Sequence, residues 1–271
     1  MRGVSRNSLV TAQERLAGLV GDEPQVMVRL ADELFATVGI LDRQGALRRA
    51  LSDPGLPAAQ RAALAEGLFG PRVGPETAAL LETAVRAAWS ESGDLVDAVE
   101  FLAIQAVLAG AEIRGELDDV EDELFRFARI VVGSPELRAA LTERGVEPGR
   151  KAALVESLLA HRARAATVRL VVQAVTQPRG RTLERALAEF ARQAAARRDR
   201  LTARVTSAAT LDPGTQENIG RALGAAYGRG VRPQFDVDPR LIGGVTVRVA
   251  DEIIDGSVLN RLREARRALA G

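Results

Sequence analysis

Apolar positions fall every three to four residues along the first 200 residues of the chain and every second residue in much of the remainder. From Met27, Leu30, Leu34, Phe35, Val38 and Leu41 trace one face of a helix. Pro24, just after Asp22 and Glu23, suits that helix's first turn, where a missing N–H costs nothing. Asp53-Pro54-Gly55 breaks the chain, and Pro57 opens a helix carrying Leu64 and Leu68 that Gly70-Pro71 stops. A helix after Pro75 puts Leu80, Leu81, Val85 and Trp89 on one face. Gly93 separates it from a long helix that starts near Leu95 and runs to about Ala111. Amphipathic helices joined by links this short predict a compact antiparallel bundle.

The pattern then repeats. Asp32-Glu33-Leu34-Phe35 recurs as Asp122-Glu123-Leu124-Phe125. Leu47-Arg48, Ala50-Leu51 and Gly55 recur as Leu137-Arg138, Ala140-Leu141 and Gly145. Ala62-Ala63-Leu64, Glu66 and Leu68 recur as Ala152-Ala153-Leu154, Glu156 and Leu158. The register holds at 90 positions and slips by one at the end, where Glu100-Phe101 matches Glu189-Phe190. Chance repetition in an alanine-rich chain does not keep a gap-free register across three helices, so the helical part is read as one bundle used twice. The bundles are expected at residues 1–110 and 96–200, with one connecting helix closing the first and opening the second.

After about Arg200 the period changes to two. Ala203, Val205, Ser207, Ala209 and Leu211 alternate with Arg204, Thr206, Ala208 and Thr210, which predicts a strand. Asp212-Pro213 is a helix start, with Ile219, Leu223 and Tyr227 on one face and Gly228-Arg229-Gly230 at the end. Strands are expected at Gln234–Val237, Val245–Val249 and Ile253-Ile254, and Asp255-Gly256-Ser257 caps a final helix. The fold class is therefore α+β and mostly α: two tandem helical bundles, then a small α/β domain at residues 201–271.

Composition narrows the chemistry. Hydrophobic residues are 46% of the 271 and charged residues 27%, a globular balance, while aromatics at 3% leave the core to Ala, Leu and Val. The absence of cysteine excludes disulfides, zinc fingers, iron–sulfur clusters and thiol catalysis. His161 is the single histidine, and Lys151 the single lysine among 37 basic residues, an arginine bias that fits a GC-rich genome. The longest apolar run, Phe101–Ala111, is interrupted by Gln105 and too short to cross a bilayer. Met1-Arg-Gly-Val-Ser-Arg lacks the apolar segment of a signal peptide, so the protein is expected to stay inside the cell. Charge is uneven along the chain. Ser90–Glu123 carries eleven acidic residues and one arginine, and Leu124–Arg204 carries seventeen basic and seven acidic residues. Such polarity concerns partners and orientation, or simply two solvated faces.

The run Leu241-Ile-Gly-Gly-Val-Thr-Val-Arg-Val-Ala-Asp-Glu-Ile-Ile-Asp-Gly-Ser-Val-Leu-Asn-Arg-Leu262 resembles the C-terminal signature of the ATP synthase delta subunit family, known in mitochondria as the oligomycin-sensitivity-conferring protein. Gly243, Gly244, Asp255, Gly256 and Ser257 match that signature position by position. Thr202–Leu211 followed by a helix, and Arg179-Gly180-Arg181 before the last bundle helix, are also similar to the family arrangement. The bundle ahead of the usual one resembles the enlarged subunits of some Gram-positive bacteria. The resemblance implies a peripheral-stalk clamp, one copy per complex, on the cytoplasmic face of the cell membrane and membrane-associated only through that complex. Its partners would be the N-terminal segments of the alpha subunits and the b stalk. It implies neither catalysis nor a cofactor. The family interface lies along the first and fifth helices of a bundle. That points to Val96–Val107 and Thr167–Val175 in the second copy, including Val99, Leu170 and Val171. In the first copy it points to Leu9–Leu19 and Thr77–Ala88, including Leu9, Leu16, Leu81 and Val85.

The residues that invite a chemical reading have structural ones that weigh more. His161 stands at a helix end beside arginines, with no Ser or Asp partner in view. Gly243-Gly244 precedes a strand and lacks the Gly-Lys-Ser/Thr of a phosphate loop, so it reads as a turn. Asp255 and Ser257 read as caps. Trp89 reads as core. Asp118-Asp119 and Glu121-Asp122-Glu123 lack the spacing of a calcium loop and read as a solvated helix face. The rival function is a nucleic-acid adaptor that uses the basic second bundle, Arg197, Arg198 and Arg200 included. Stacking aromatics are almost absent there and no reader motif is present, so no nucleic acid is expected.

Overall fold

The computed structural model describes residues 3–21, 23–198, 201–227, 231–238, 241, 244–249 and 252–255. The chain divides into two compact units, Met1–Ala195 and Ala196–Gly271. In the first, α1 (Gly3–Leu19), α2 (Pro24–Arg43), α3 (Gly45–Ser52), α4 (Ala58–Phe69), a 3₁₀ turn (Gly70–Arg72), α5 (Pro75–Arg86) and α6 (Ser92–Ile113) form the first copy. The second continues through α7 (Leu117–Gly133), α8 (Pro135–Thr142), α9 (Pro148–Leu159), α10 (Ala165–Thr176) and α11 (Leu183–Arg198).

The 90-residue register carries through to helix boundaries: α3 and α8, α4 and α9, and α5 and α10 begin and end 90 positions apart. It also carries through to a polar device. The Glu33 carboxylate accepts hydrogen bonds from the Gly74 N–H (2.9 Å) and the Thr77 hydroxyl (2.5 Å) at the start of α5. Glu123 accepts from the Arg164 N–H (2.9 Å) and the Thr167 hydroxyl (2.5 Å) at the start of α10. Every residue of one set lies 90 positions from its counterpart. In both copies a carboxylate from the second helix satisfies donors that a helix N-terminus leaves open, where negative charge is also favoured by the helix dipole. Removing either glutamate as alanine is expected to cost about 1.5–3 kcal/mol, the range for hydrogen bonds to a charged group. Urea unfolding of Glu33→Ala and Glu123→Ala, followed by circular dichroism, checks both size and similarity.

Fifteen of the 22 residues of α6 are buried, from Leu95 to Ala111. A helix apolar all round belongs inside a larger core, and α6 is shared by both copies. It makes the most extensive helix pair of the unit with α2. The pair is antiparallel and close, since a Cβ on Gly110 would stand 3.4 Å from Cβ of Met27.

Two local expectations need correction. Trp89 does not continue the face of α5, because the helix ends at Arg86 and Ala87 is extended (ψ 162°). The indole folds back instead, and its Nε1–H donates to the Ala84 carbonyl at 2.8 Å, so the side chain is still buried. Gly93 is not a separator. It lies in the first turn of α6, where Glu91 is the N-cap and its N–H needs no intrahelical acceptor.

In the second unit, β1 (Leu201–Ser207), α12 (Pro213–Tyr227), β2 (Val231–Val237), β3 (Val245–Val249) and β4 (Glu252–Asp255) make a four-stranded sheet of order β2-β1-β3-β4. β1 and β2 are parallel and separated in sequence by α12, as a parallel pair requires. The other two pairings are antiparallel. The first strand stops at Ser207 rather than Leu211, because the Ser207 hydroxyl turns onto the Ala209 carbonyl at 2.6 Å. Asp212 caps α12 by accepting from the N–H and hydroxyl of Thr215 (3.0 and 2.6 Å), bonds that hold its carboxyl below its ordinary pKa. Val205 and Leu223 are buried against Leu211, Ile219, Phe235, Val245 and Val247.

Candidate functional site

Among the described residues no group of three or more His, Cys, Asp or Glu side chains is placed to hold a metal, and no helix is long and apolar enough to cross a membrane. His161 is exposed and stands in the left-handed region (φ 56°), just past the end of α9. A cleft of about 770 Å³ beside α8, α9 and the start of α11 is lined by Arg138, Arg144, Lys151, Arg181, Glu143 and Glu184, with no nucleophile–base pair among them.

Of the residues expected to meet partners, Leu9 is partly buried. Leu16, Leu81, Val85, Val99, Leu170 and Val171 are buried in the chain's own core. Gly244 takes a positive φ of 83°, the conformation glycine adopts at no steric cost. Asp255 ends β4, paired with Thr246. Gly243, Gly256, Ser257 and the expected final helix lie outside the described residues.

The two copies differ in what covers the face between their first and fifth helices. In the second copy these helices are α6 and α10, and α2 of the first copy lies along them. The Arg169 guanidinium on α10 donates to both carboxylate oxygens of Asp32 (2.6 and 3.0 Å). A Cβ on Gly39, about two helix turns farther along α2, would meet the Gln177 amide at 3.3 Å. Beyond α10, Arg179 reaches Asp42 of α2 at 3.5 Å, and Asp97 and Glu100 of α6 at 2.7 Å each. Arg181 reaches the second oxygen of Glu100 at 2.5 Å. Glu100 is almost enclosed, its side chain 4% exposed, and that of Arg179 is 10% exposed. Burial works against the arginine's charge, but Glu100 and Asp97 outweigh it and hold its pKa above the ordinary value. Both arginines come from the Arg179-Gly180-Arg181 loop, in which Arg179 (φ 47°) and Gly180 (φ 72°) take left-handed conformations that aim them at the carboxylates.

Among the described residues of the helical unit, none occupies the same face of the first copy, between α1 and α5, in this way. Val10, the counterpart of Glu100, is 46% exposed there, beside partly buried Gln13, Ala79 and Thr83. The lengthwise charge asymmetry is thus in part an internal lock: acids on α2, α6 and α7 meet arginines on α10 and at its two ends. Arg164 joins it by pairing with Asp119 at 2.7 Å and Glu116 at 3.4 Å, and the Asp119 bond raises its pKa. The spacing of 90 positions was the sequence signal for Glu33 with Thr77 and Glu123 with Thr167. The Asp32–Arg169 pair, 137 residues apart, left none.

The family described as "ATP synthase delta (OSCP) subunit" matches residues 105–269. The chain is similar over nearly its whole length to proteins named "ATP synthase subunit delta". It is 49% identical to that of Streptomyces avermitilis (99% of this chain, 98% of the relative). It is 48% identical to those of Streptomyces griseus and Acidothermus cellulolyticus, with all of both chains covered. Among solved structures, a chain of the Toxoplasma gondii mitochondrial ATP synthase hexamer aligns with 62% of this chain and 95% of its own length, at 19% identity and a TM-score of 0.29.

Proposed function

The chain belongs to the ATP synthase delta (OSCP) subunit family, and we propose that as a peripheral-stalk subunit it ties the alpha subunits of the catalytic head to the membrane-anchored b stalk. It is a structural subunit of an enzyme complex, and in this reading it supplies no catalytic group, cofactor or metal. It holds the head against the torque of the rotor from the cytoplasmic face of the membrane, as one copy per complex. The small α/β domain, with its Gly243-Gly244 and Asp255-Gly256-Ser257 signature, is the end that takes the b stalk.

The observation that carries the finer reading is the occupation of the α6–α10 face by α2. An amphipathic helix is what such a face accepts, and in the second copy the chain supplies its own. The α1–α5 face of the first copy is the one left for an alpha-subunit segment. Leu9 and Val10 lie at its surface, with Leu16, Leu81 and Val85 as its floor.

The test is a pull-down of tagged chain from detergent-solubilised membranes. Wild-type chain should recover alpha, beta and b subunits in near-stoichiometric amounts. Val10→Asp should lose most of the alpha and beta while keeping b, with unchanged thermal unfolding because the side chain is exposed. Equal recovery of alpha by the variant would sink the assignment to the α1–α5 face. Nucleic acid in place of synthase subunits would sink the stator reading itself.

A further inference from the structure

The duplication lets one copy show what a face of the other is for. On α2, Asp32, Phe35, Gly39 and Asp42 form a stripe that faces the second copy. Arg169 pairs with its first residue, Gln177 approaches its third and Arg179 pairs with its fourth. Phe35, within that stripe, is only 6% exposed. The corresponding stripe on α7 is Asp122, Phe125, Arg129 and Val132. Here the same phenylalanine is 58% exposed and Val132 is 61% exposed, and both flanking charges face solvent. Two large apolar side chains seven positions apart on one helix, both in water, are a ridge of the kind that a partner helix covers.

We propose that this outer face of α7 is a second docking surface, and that its occupant is an amphipathic helix of another synthase subunit. This rests on the stator reading above. The occupant would lay an apolar ridge over Phe125 and Val132, with a basic residue toward Asp122, as Arg169 stands to Asp32, and an acidic residue toward Arg129. Among the described residues Asp122 holds only a loose surface pair within its own helix, Arg126 at 3.8 Å, and so has capacity for a partner. The stripe also fits a second copy of α10 less well than α2 does. Arg129 stands where α2 has Gly39 beside Gln177, and Val132 replaces the aspartate that receives Arg179.

The experiment places a photo-crosslinking phenylalanine analogue at 125, or separately at 132, in chain assembled into purified synthase, with a third probe at 10 as the assembly control. Both positions should crosslink to one helical segment of one other subunit, mapped by mass spectrometry, that carries Lys or Arg near the 125 adduct. Phe125→Asp should cut the 132 crosslink at least tenfold, and Asp122→Arg should cut it severalfold. Both variants should unfold at the wild-type midpoint, since both side chains are exposed. Crosslinking at 10 but not at 125 or 132 would overturn the proposal alone. So would adducts to a second copy of this chain or to its own residues. Absence of wild-type chain from the purified synthase would overturn the stator reading, and this proposal with it.

Discussion

Replacement of Glu100 by alanine is expected to lower the unfolding free energy of the helical unit by about 3–5 kcal/mol. Glu100 is a carboxylate inside the core, and it is tolerated there because Arg179 and Arg181 each hold one of its oxygens. Without it, Arg179 keeps Asp97 and Asp42, which are about half exposed and screened by solvent, while its own buried guanidinium loses the partner that compensates burial. A double change, Glu100→Leu with Arg179→Met, should recover most of the loss, since apolar replacement of a buried pair is often neutral or better. A subtler arm separates side chain from backbone. Arg179 holds a left-handed conformation that costs a non-glycine residue on the order of 1 kcal/mol. Arg179→Gly should therefore destabilise by about 1 kcal/mol less than Arg179→Ala, although both delete the same ion pairs. Urea unfolding followed by Trp89 fluorescence and by circular dichroism reads all four variants. A single-mutant loss below about 1 kcal/mol would mean that the cluster behaves as a surface pair and does not lock the two copies together.

The duplication was legible because it is written in letters that serve packing and capping together. Asp-Glu-Leu-Phe carries both a core leucine and the glutamate that caps a helix 41 residues on. Helix limits set by proline and glycine were legible for the same reason. The end of α5 was not, since Val85 and Trp89 keep helical spacing and no breaker stands between them. The tryptophan is buried by a turn of extended chain instead. Nor could the pattern say what a buried face meets. Leu16, Leu81, Val99 and Leu170 look alike whether they serve the chain's own core or a partner, and in the folded chain all four are buried. Phe35 and Phe125 make the point most directly, being the same residue at the same register with opposite fates. What differs is that the charges flanking Phe35 meet arginines of the second copy while those near Phe125 face solvent, a fact of topology that lies outside local periodicity. The uneven charge was visible but ambiguous in the same way. The distance that matters between Asp32 and Arg169 is 2.6 Å in space and 137 residues in sequence.

Leu102→Ala is expected to cost about 2–5 kcal/mol, the range for emptying a fully buried leucine site, and to do so in both copies at once. Leu102 is fully buried near the middle of α6, the helix that the two copies share. Were they independent bundles joined by a linker, a cavity in one would leave the other's transition in place. The geometry argues otherwise. α6 packs along α2 on one side and touches α10 on another, and its Gln105 bonds to Gln193 of α11 at 3.2 Å. Through Glu100 it is also tied to the loop after α10. Neither copy can lose α6 and keep its core, so opening one exposes the other. The chain carries its own local reporter, because its single tryptophan, Trp89, sits in the first copy. Amide hydrogen exchange along α10 reports on the second. In wild type and variant alike, the two signals should give one midpoint, displaced together by the substitution. A variant in which Trp89 fluorescence shifts while α10 exchange keeps its wild-type free energy would show that the copies unfold separately. The clamp would then be two domains in series rather than one rigid body, with a joint at α6 where torque could be lost.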